Sequence, residues 1–581
     1  RPDFCHGGRT RGADDALRGW HRRPAGCDVS GCAVRRKAWA PGRRRRGLAN
    51  LVDRCCCPSG TLYRAAGQPR PGGAVSGLAG CRTCRTDCRR RRAPCRRGRR
   101  GWPRFQSRPW SVAGDRSRRA ERISIVHPLA MTSRSYCVVG GGISGLTAAY
   151  RLRVATGDDV AITLFDPGDR LGGVLRTECV GGQPMDLGAE AFLLRRPEVP
   201  ALLAELGLSE RQRATTDARP LIYSQQRLHS LPPDTVAGIP SSATSVAGLV
   251  DDATVARIGA EAVRPLSWEP GSDPAMAELV ADRFGEQAVA RLVDPLLGGV
   301  YAGSAATIGL RAGAPSVAAA LDCGATSLME AVRQGLPPVA AGPVFGALDG
   351  GYQVLIDELV RRSRLQWVAA TVVGLDRGTC GWTLVDDTGA CWSADGVILA
   401  VPAPRLVRLL QQIAPRTVAA ASRIVSASSA VVALSVPRDT TFPQNSGVLV
   451  ASGERLRAKA VTLSSRKWGL QGDTQLVRLS FGKFGDQVAS TASDDELLAW
   501  AVSDLAAVFD VTVDPVDVCV QRWIDAMPQY GPGHADLVAE VRAGLPPTLV
   551  VAGSHMDGIG VPACISAAGR AIEALQAEVA R

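Results

Sequence analysis

The sequence predicts an α/β protein (α+β overall) with a Rossmann-like dinucleotide-binding domain, an interleaved antiparallel-sheet domain and a helical subdomain. A strand, a glycine turn and a helix at residues 136–150, followed by a strand at 160–166, require a parallel sheet with a crossover helix. Short β patterns at 429–436 and 474–481 suit an antiparallel sheet. Apolar residues recur at helical spacing over 276–292, which predicts helices there.

The glycine turn has the spacing of a pyrophosphate cradle. Gly140 permits the tight turn, Gly142 lets the backbone approach a phosphate, and Gly145 lets the helix lie close to the strand. The N-terminus of that helix then faces the anion. A lone GxGxxG is weak support in a chain with 63 glycines, so its surroundings must decide. The predicted contacts of this turn are Gly140, Gly141, Gly142, Ile143, Ser144 and Gly145.

An acidic residue ends the second strand, about 20 residues beyond the glycines. Asp166 is placed to accept hydrogen bonds from the adenosine ribose, and its charge would repel the 2′-phosphate of NADP. A second glycine pair follows at once, which is typical of flavoproteins because the chain must pass close to an extended FAD. The predicted contacts here are Asp166, Pro167, Arg170, Gly172 and Gly173. Residues 140–190 resemble the amine-oxidase-like FAD superfamily.

Later motifs narrow the resemblance. They are Asp186-Leu-Gly-Ala-Glu190, Phe284-Gly285, the run from Asp294 to Gly303, Gly350-Gly351, and W-x-x-A-M-P-Q-Y-x-x-x-H from Trp523 to His534. Together they are similar to the protoporphyrinogen/coproporphyrinogen oxidase family, over essentially all of residues 134–575. Taken alone, the first of these motifs, Asp186–Glu190, is also explained by an ordinary turn.

The resemblance implies that the far half of the flavin site comes from the end of the chain. A strand at 549–553, a turn at 558–562 and a helix at 565–579 are expected, with the helix N-terminus stabilising the anion that forms on flavin reduction. Val372, read as part of a strand over 368–372, and Ala400 line the cofactor in the family. The remaining implied contacts are Gly188, Ala189, Glu190, Ala191, Trp523, Gly553, Gly558, Ile559, Gly560 and Val561.

Substrate contacts and a base are harder to read. Arg195 and Arg196 fall where the family places a cation toward a substrate propionate, although a solvated pair opening a helix explains them equally well. Arg227, Arg264 and Lys467 are further, unranked candidates. No residue is assigned as a catalytic base, because the flavin carries the chemistry. His534, in a Gly/Pro-rich loop, and His555 are weak candidates.

The activity implied by the resemblance is the six-electron oxidation of coproporphyrinogen III to coproporphyrin III in haem biosynthesis, with molecular oxygen as acceptor and hydrogen peroxide as product. Protoporphyrinogen IX is the alternative substrate. An amine oxidase is a more distant alternative, because residues 551–560 lack the aromatic residue that cages an amine. A downstream ferrochelatase is a possible partner in that pathway.

We divide the chain into four parts. Residues 131–212, 345–415 and 520–581 form the FAD-binding domain. Residues 213–235, 331–344 and 416–519 form the substrate-binding domain, and residues 236–330 form the helical subdomain, which covers the substrate and can touch a membrane in the family. Residues 1–130 precede the first recognisable strand and are either a disordered basic leader or upstream sequence included by a mis-placed start.

Charge and cysteine are concentrated in that leader. Residues 1–130 carry 32 Lys and Arg against 8 Asp and Glu, whereas the rest carries 37 against 47, so the net charge of +14 hides an acidic folded part. Ten of the 17 cysteines lie there as well. An arginine-rich arm for nucleic acid or an acidic membrane, and a zinc site at Cys81 and Cys84 with Cys88 and Cys95, are the functional alternatives for this segment, and neither is favoured. Scattered cysteines, no apolar spanning run and no secretory signal favour a cytoplasmic protein with at most peripheral membrane contact, without metal or nucleic acid.

Overall fold

The structure, a computed structural model, describes residues 134–338, 342–379 and 381–580. The predicted leader, with its arginine and cysteine clusters, lies outside the described residues. The strands are β1 (Ser135–Val139), β2 (Ala161–Phe165), β3 (Thr177–Val180), β4 (Gln183–Asp186), β5 (Phe192–Leu193), β6 (Gln212–Ala214), β7 (Pro220–Ser224), β8 (Arg227–Ser230), β9 (Thr235–Val236), β10 (Ile239–Pro240), β11 (Phe345–Leu348), β12 (Gln366–Val368), β13 (Val372–Gly378), β14 (Gly381–Asp386), β15 (Cys391–Ala394), β16 (Gly396–Leu399), β17 (Ser426–Pro437), β18 (Gly447–Val450), β19 (Ala458–Thr462), β20 (Thr474–Phe481), β21 (Asp517–Pro528) and β22 (Leu549–Val551).

The helices connect and cover these strands. They are α1 (Ile143–Thr156), α2 (Glu198–Leu206), α3 (Asp252–Gly259), α4 (Met276–Phe284), α5 (Glu286–Ala288), α6 (Asp294–Tyr301), α7 (Leu310–Gly313), α8 (Pro315–Asp322), α9 (Leu328–Gly335), α10 (Gln353–Ser363), α11 (Ala403–Leu410), α12 (Pro415–Ala421), α13 (Ser464–Trp468), α14 (Val488–Thr491), α15 (Asp494–Phe509), α16 (His534–Ala543) and α17 (Val561–Val579), with a π-helical segment at Val289–Val293.

A five-stranded parallel sheet in the order β12-β2-β1-β16-β22 confirms the predicted Rossmann-like core. Its side chains alternate between two apolar layers, as a doubly covered sheet requires. Tyr136 and Val138 pack among α1, α2, α10 and α17, whereas Cys137 and Val139 pack toward β13–β15, α11 and α12. Because β1, β16 and β22 are parallel neighbours, the turns after them open on the same edge of the sheet.

The second large sheet has the order β21-β17-β20-β19-β18-β7-β8 and is antiparallel except for the β18–β7 pair. On one face, Val477, Leu479 and Phe481 pack against α15. The other face turns toward the β3–β4 hairpin, since Leu476 shares a core with Val180 and Leu187. Residues 520–528, which we assigned to the FAD-binding domain, lie in β21 of this sheet; the other domain bounds stay predictions.

The region from α3 to α9 is helical, as the spacing of its apolar residues predicts. At its centre Arg283 and Glu261 form a buried ion pair, with Nε 2.9 Å from Oε1. Glu261 also accepts from the backbone amides of Leu328 and Met329 at the start of α9. A buried pair with these extra hydrogen bonds is satisfied on both sides and ties α4 to α9.

Two expected elements differ. Val368 and Val372 belong to different strands, because β12 ends at Val368 in the parallel sheet and β13 starts at Val372 in an antiparallel one. The last helix starts at Val561, not at residue 565, because Pro562 in its first turn needs no amide partner and its fixed φ suits a helix start.

Candidate FAD and substrate site

The predicted pyrophosphate turn has one open position. A Cβ on Gly140, whose φ is +108°, would overlap the Ala400 carbonyl oxygen, and a Cβ on Gly145 would overlap the Gly140 carbonyl oxygen. A Cβ on Gly142 would have no other atom within 4 Å. No side chain caps the start of α1, so its first amides are free to bind an anion. Ile143 and Ser144 are buried in this first turn.

Asp166 holds the turn from the end of β2. Its Oδ2 accepts from the Gly141 amide at 2.7 Å and its Oδ1 from the Gly168 amide at 2.9 Å. Pro167, between these contacts, is exposed. The carboxylate therefore lies at the carboxyl edge of the sheet, at the place where the sequence predicts the ribose contact.

A backbone hydrogen bond links the second glycine pair to the first glycine turn. The Gly172 amide donates to the Gly141 carbonyl oxygen at 2.8 Å, and Gly173 has a positive φ of +57°. Arg170 uses its guanidinium on backbone carbonyls rather than presenting it freely: Nη1 donates to Leu171 and Leu175, and Nη2 to Gly173. Arg170 thus shapes the loop that follows the ribose acid.

The distant end of the chain completes the same edge. Gly553 follows β22, and α17 starts after Gly560, again without a side-chain cap. Ala400, after β16, lies between these turns and the Gly140 turn. Ile559 is half-buried and Val561 is buried. Two uncapped helix N-termini on one edge, with clearance at Gly142, fit an extended anionic dinucleotide such as FAD.

The segment after β4 is held by the seven-stranded sheet. Trp523 donates its indole N–H to the Leu187 carbonyl oxygen at 2.8 Å, and Arg478 donates through Nη2 to the Gly188 carbonyl oxygen at 2.7 Å. A Cβ on Gly188 would overlap the Val174 carbonyl oxygen. Ala189 and Ala191 are half-buried beside it. We did not predict Arg478, although a lone charge inside the apolar strand β20 was a usable signal.

Glu190 binds protein groups rather than standing free for a cofactor. Its Oε2 accepts from Lys467 Nζ at 2.9 Å, and its Oε1 accepts from Trp468 Nε1 at 2.8 Å and from Ser464 Oγ at 3.1 Å. Burial alone would raise the pKa of Glu190, but Lys467 and Arg478 lower it to about 2. Lys467, an unranked substrate candidate, therefore serves as the partner of Glu190.

Asp186 is a second buried carboxyl in this segment. Its Oδ1 accepts from Thr177 Oγ1 at 2.5 Å and from the Tyr352 amide at 3.1 Å. Burial nevertheless raises its pKa to about 6. The folded protein holds this proton more tightly than the unfolded chain, whose carboxyl titrates near its ordinary value.

We expect Asp186→Asn to remove a pH dependence of stability. Between about pH 4 and pH 6 the unfolded chain loses its proton first, so the wild type loses roughly 3 kcal/mol as pH rises, at about 1.4 kcal/mol per pKa step. Asparagine keeps the acceptor and does not titrate. The measurement is urea unfolding of both proteins from pH 4 to pH 7; a free-energy difference that stays constant across that range would contradict the assignment.

The other cations predicted to bind substrate do not form a cluster beside residues 186–191. Arg195 and Arg196 are exposed, and Arg196 pairs with Glu198 just before α2. Arg227 is exposed on β8, the last strand of its sheet. Arg264 donates to the Asp282 carbonyl oxygen at 2.8 Å within the helical region.

His534 is structural in this fold. It is the first residue of α16, not a loop residue, because Gly533 takes the left-handed φ of +73° that ends the preceding turn. Its ring stacks on Tyr530 with centroids 4.0 Å apart, its Nε2 lies 3.2 Å from the Met556 carbonyl oxygen, and burial lowers its pKa. His555 is also buried, and burial lowers its pKa to about 4. Neither ring is placed as an open base.

Comparison with known proteins identifies the family. The model of the family described as flavin containing amine oxidoreductase matches residues 143–575. The chain belongs to this flavin-dependent family. The predicted resemblance and its flavin cofactor, FAD, are thereby confirmed, and the individual FAD contacts of this oxidoreductase stay predictions.

Relatives cover the flavin-dependent part of the chain. The coproporphyrinogen III oxidase of Mycobacterium tuberculosis (strain H37Rv) is 75% identical over 455 residues, 78% of this chain and 100% of the relative. That of Bacillus subtilis (strain 168) is 27% identical, covering 74% and 95%. The crystal structure of a candidate protoporphyrinogen oxidase from Exiguobacterium sp. 255-15 matches 78% of this chain and 100% of its own, with a TM-score of 0.70 at 28% identity.

The described part of this oxidoreductase has neither a membrane-spanning helix nor a cluster of metal-binding side chains. Over residues 134–338, 342–379 and 381–580, no helix has the length and apolarity needed to cross a membrane. Within the same ranges, no three or more His, Cys, Asp or Glu side chains come together as a metal site.

Proposed function

We propose that this protein is a coproporphyrinogen III oxidase, which converts coproporphyrinogen III to coproporphyrin III with FAD and molecular oxygen and releases hydrogen peroxide. The observation that carries this proposal is the 75% identity that extends over the whole length of the M. tuberculosis relative. The alternative, protoporphyrinogen IX as substrate, is supported by more distant relatives, such as Arabidopsis thaliana protoporphyrinogen oxidase 1 at 22% identity.

The protein's part in this reaction is to bind FAD and to orient the substrate against it. When bound, FAD would supply the hydride acceptor and the route by which electrons reach oxygen. Gly142 and the amides of α1 would hold the pyrophosphate, Asp166 the ribose, and the N-terminus of α17 the electron-accepting end. Arg478 and Trp523 keep the Leu187 and Gly188 carbonyls in place. No side chain is assigned to take the substrate protons, which leave to water or through the substrate itself.

Two finer points belong to this proposal. The product would pass to a downstream ferrochelatase, since a free metal-less porphyrin is the substrate of that enzyme class. Any membrane contact would be peripheral and would involve the helical region, where Val263 is 84% exposed.

The proposal is tested with the purified full-length protein. We expect bound flavin absorbance, and in air we expect porphyrin fluorescence to appear much faster from coproporphyrinogen III than from protoporphyrinogen IX, with peroxide formed. A preference for protoporphyrinogen IX would move the substrate to the alternative. Flavin with activity only on amines would favour an amine oxidase, and absence of flavin would contradict the whole assignment.

A further inference from the structure

A tetracarboxylate substrate requires cations, and three of the predicted ones are engaged within the fold. Arg196 pairs with Glu198, Lys467 with Glu190, and Arg264 binds backbone carbonyls near Asp282. Each of these charges is neutralised or used within the fold. Arg195 and Arg227 stay exposed, so three of the five predicted cations are used within the fold, and a further cation would have to help recognise the carboxylates of a porphyrinogen.

Lys483 lies where the two family-specific motifs meet. It follows β20, and its Cε is 4.0 Å from the place where a Cβ on Gly298 of α6 would lie. The next amide, that of Phe484, donates to the Ala302 carbonyl oxygen at 2.7 Å. On the same end of α6, Gln529 donates through Nε2 to the Tyr301 carbonyl oxygen at 2.8 Å. The motifs 294–303 and 523–534 thus flank Lys483.

The base of Lys483 is connected to the flavin-side segment. A Cβ on Gly482 would lie 2.9 Å from the Ser428 carbonyl oxygen, and Ser429 pairs in register with Trp523, which holds Leu187. Lys459 fixes this corner, since its buried Nζ donates to the Gly482 carbonyl oxygen at 2.5 Å and to Ser429 Oγ at 2.8 Å. The backbone that carries Lys483 is therefore held at a defined place relative to Gly188.

The sheet face beside Lys483 is suited to a flat ring. Ser480 and Ala460 are cross-strand partners on the face opposite the α15 core, and both are half-exposed. Leu449 on β18 is half-exposed and faces the exposed Gly299 of α6. These small and apolar groups offer contact area without charge.

The ammonium of Lys483 is free to bind an anion. Its backbone amide donates to Asp486 Oδ2 at 2.7 Å, but its Nζ has no hydrogen-bond or ion-pair partner among residues 134–338, 342–379 and 381–580. Arg478, on the same face, already binds the Gly188 carbonyl. Lys483 is therefore a cation without a side-chain partner among the described residues, at the edge of this face.

We propose that Lys483 binds a substrate propionate and selects for coproporphyrinogen III over protoporphyrinogen IX. This inference rests on the proposed function and names a specificity residue within it. Coproporphyrinogen has four propionates, whereas protoporphyrinogen has two and carries vinyl groups in place of the others. A vinyl group beside Lys483 would leave the ammonium partly desolvated without a partner, which disfavours that substrate.

The test compares Lys483→Met, Lys483→Arg and, as a matched control, Arg408→Met in the full-length protein. Arg408 is exposed on α11 and makes no contact with the proposed site. We expect Lys483→Met to raise KM for coproporphyrinogen III roughly tenfold, since a charge-assisted hydrogen bond is lost, with kcat little changed. KM for protoporphyrinogen IX should fall, because methionine leaves no unpaired ammonium beside a vinyl group. Lys483→Arg should restore most of the affinity for coproporphyrinogen III, and Arg408→Met should behave as the wild type.

A second measurement does not depend on turnover. Coproporphyrin III binding, followed by fluorescence, should weaken with added salt in the wild type and lose much of that salt dependence in Lys483→Met. If the wild type is active and Lys483→Met has the same KM and product affinity as the wild type, the inference is overturned. It is also overturned if Lys483→Met raises KM equally for both substrates. A wild type that does not oxidise coproporphyrinogen III would overturn the proposed function instead.

Discussion

Gly145→Ala is expected to lower FAD affinity at least about tenfold and to destabilise the protein by about 1–3 kcal/mol, the usual cost of forcing atoms into a packed site. The added methyl would overlap the Gly140 carbonyl oxygen, which is backbone and cannot rotate away. Either α1 shifts or the turn opens, and both movements displace the amides that would receive the pyrophosphate. Flavin absorbance per protein and FAD titration of the stripped protein measure the first effect, and urea unfolding measures the second.

Gly569→Ala is the control, because it makes the same change within a helix. Gly569 lies in α17 and has no atom within 4 Å of the added Cβ. Alanine there should stabilise the protein by about 0.5–1 kcal/mol, since glycine lowers helix stability by that amount. If both variants kept the wild-type FAD affinity, close packing at the turn would not be what the cofactor requires.

Glu190→Gln is expected to cost about 3 kcal/mol of stability, because it leaves Lys467 and Arg478, whose side chains are only 20% and 13% exposed, without their anion. Glutamine keeps the shape and one acceptor, so the loss reports on charge. The same change loosens Gly188 and should weaken FAD binding. Chemical unfolding with and without FAD separates the two effects.

The stabilisation by Glu190 also depends on pH. Because the pKa of Glu190 is about 2 in the folded protein, against about 4.5 in the unfolded chain, its contribution to the free energy of unfolding is complete above pH 5 and is lost as pH falls toward 2.

Two further variants define the origin of that loss. Glu190→Gln combined with Lys467→Met should recover part of the stability, since the double change removes both the unpaired cation and its missing anion. Asp158→Asn removes a carboxylate from an exposed pair with Arg364 and should cost below about 1 kcal/mol. A cost for Glu190→Gln no larger than that of Asp158→Asn would show that the buried cluster does not hold the segment.

The turns and strand ends that the sequence assigns to a cofactor site follow from local patterns. The roles of Gly140 and Gly145 follow from spacing alone, because each is set by a turn and by the helix that immediately follows. Asp166 was also placed correctly at the end of its strand. The start of α17 was read four residues late, because Pro562 was taken as a turn residue although proline is favoured in a first helical turn.

Side chains whose partners are distant in sequence could not be read in this way. Glu190 was predicted beside the flavin and Lys467 was an unranked substrate candidate, yet they bind each other across 277 positions. Arg478 reaches Gly188 across 290 positions. Nothing in the local composition distinguishes a cation that will be paired from one that will remain free.

The sequence by itself determined the parallel core, the glycine turns and the family, because strand–turn–helix geometry and motif spacing are local properties. Only the tertiary structure decided which charged side chains pair within the protein and which remain free to bind a substrate. Packing of the seven-stranded sheet against the 186–190 segment brings Glu190, Lys467 and Arg478 together, largely out of solvent, and desolvation of Glu190 and Arg478 favours their pairing. Among the described residues, the same packing leaves the Lys483 ammonium without a side-chain partner at the junction of two motifs, where we propose that it meets a substrate carboxylate.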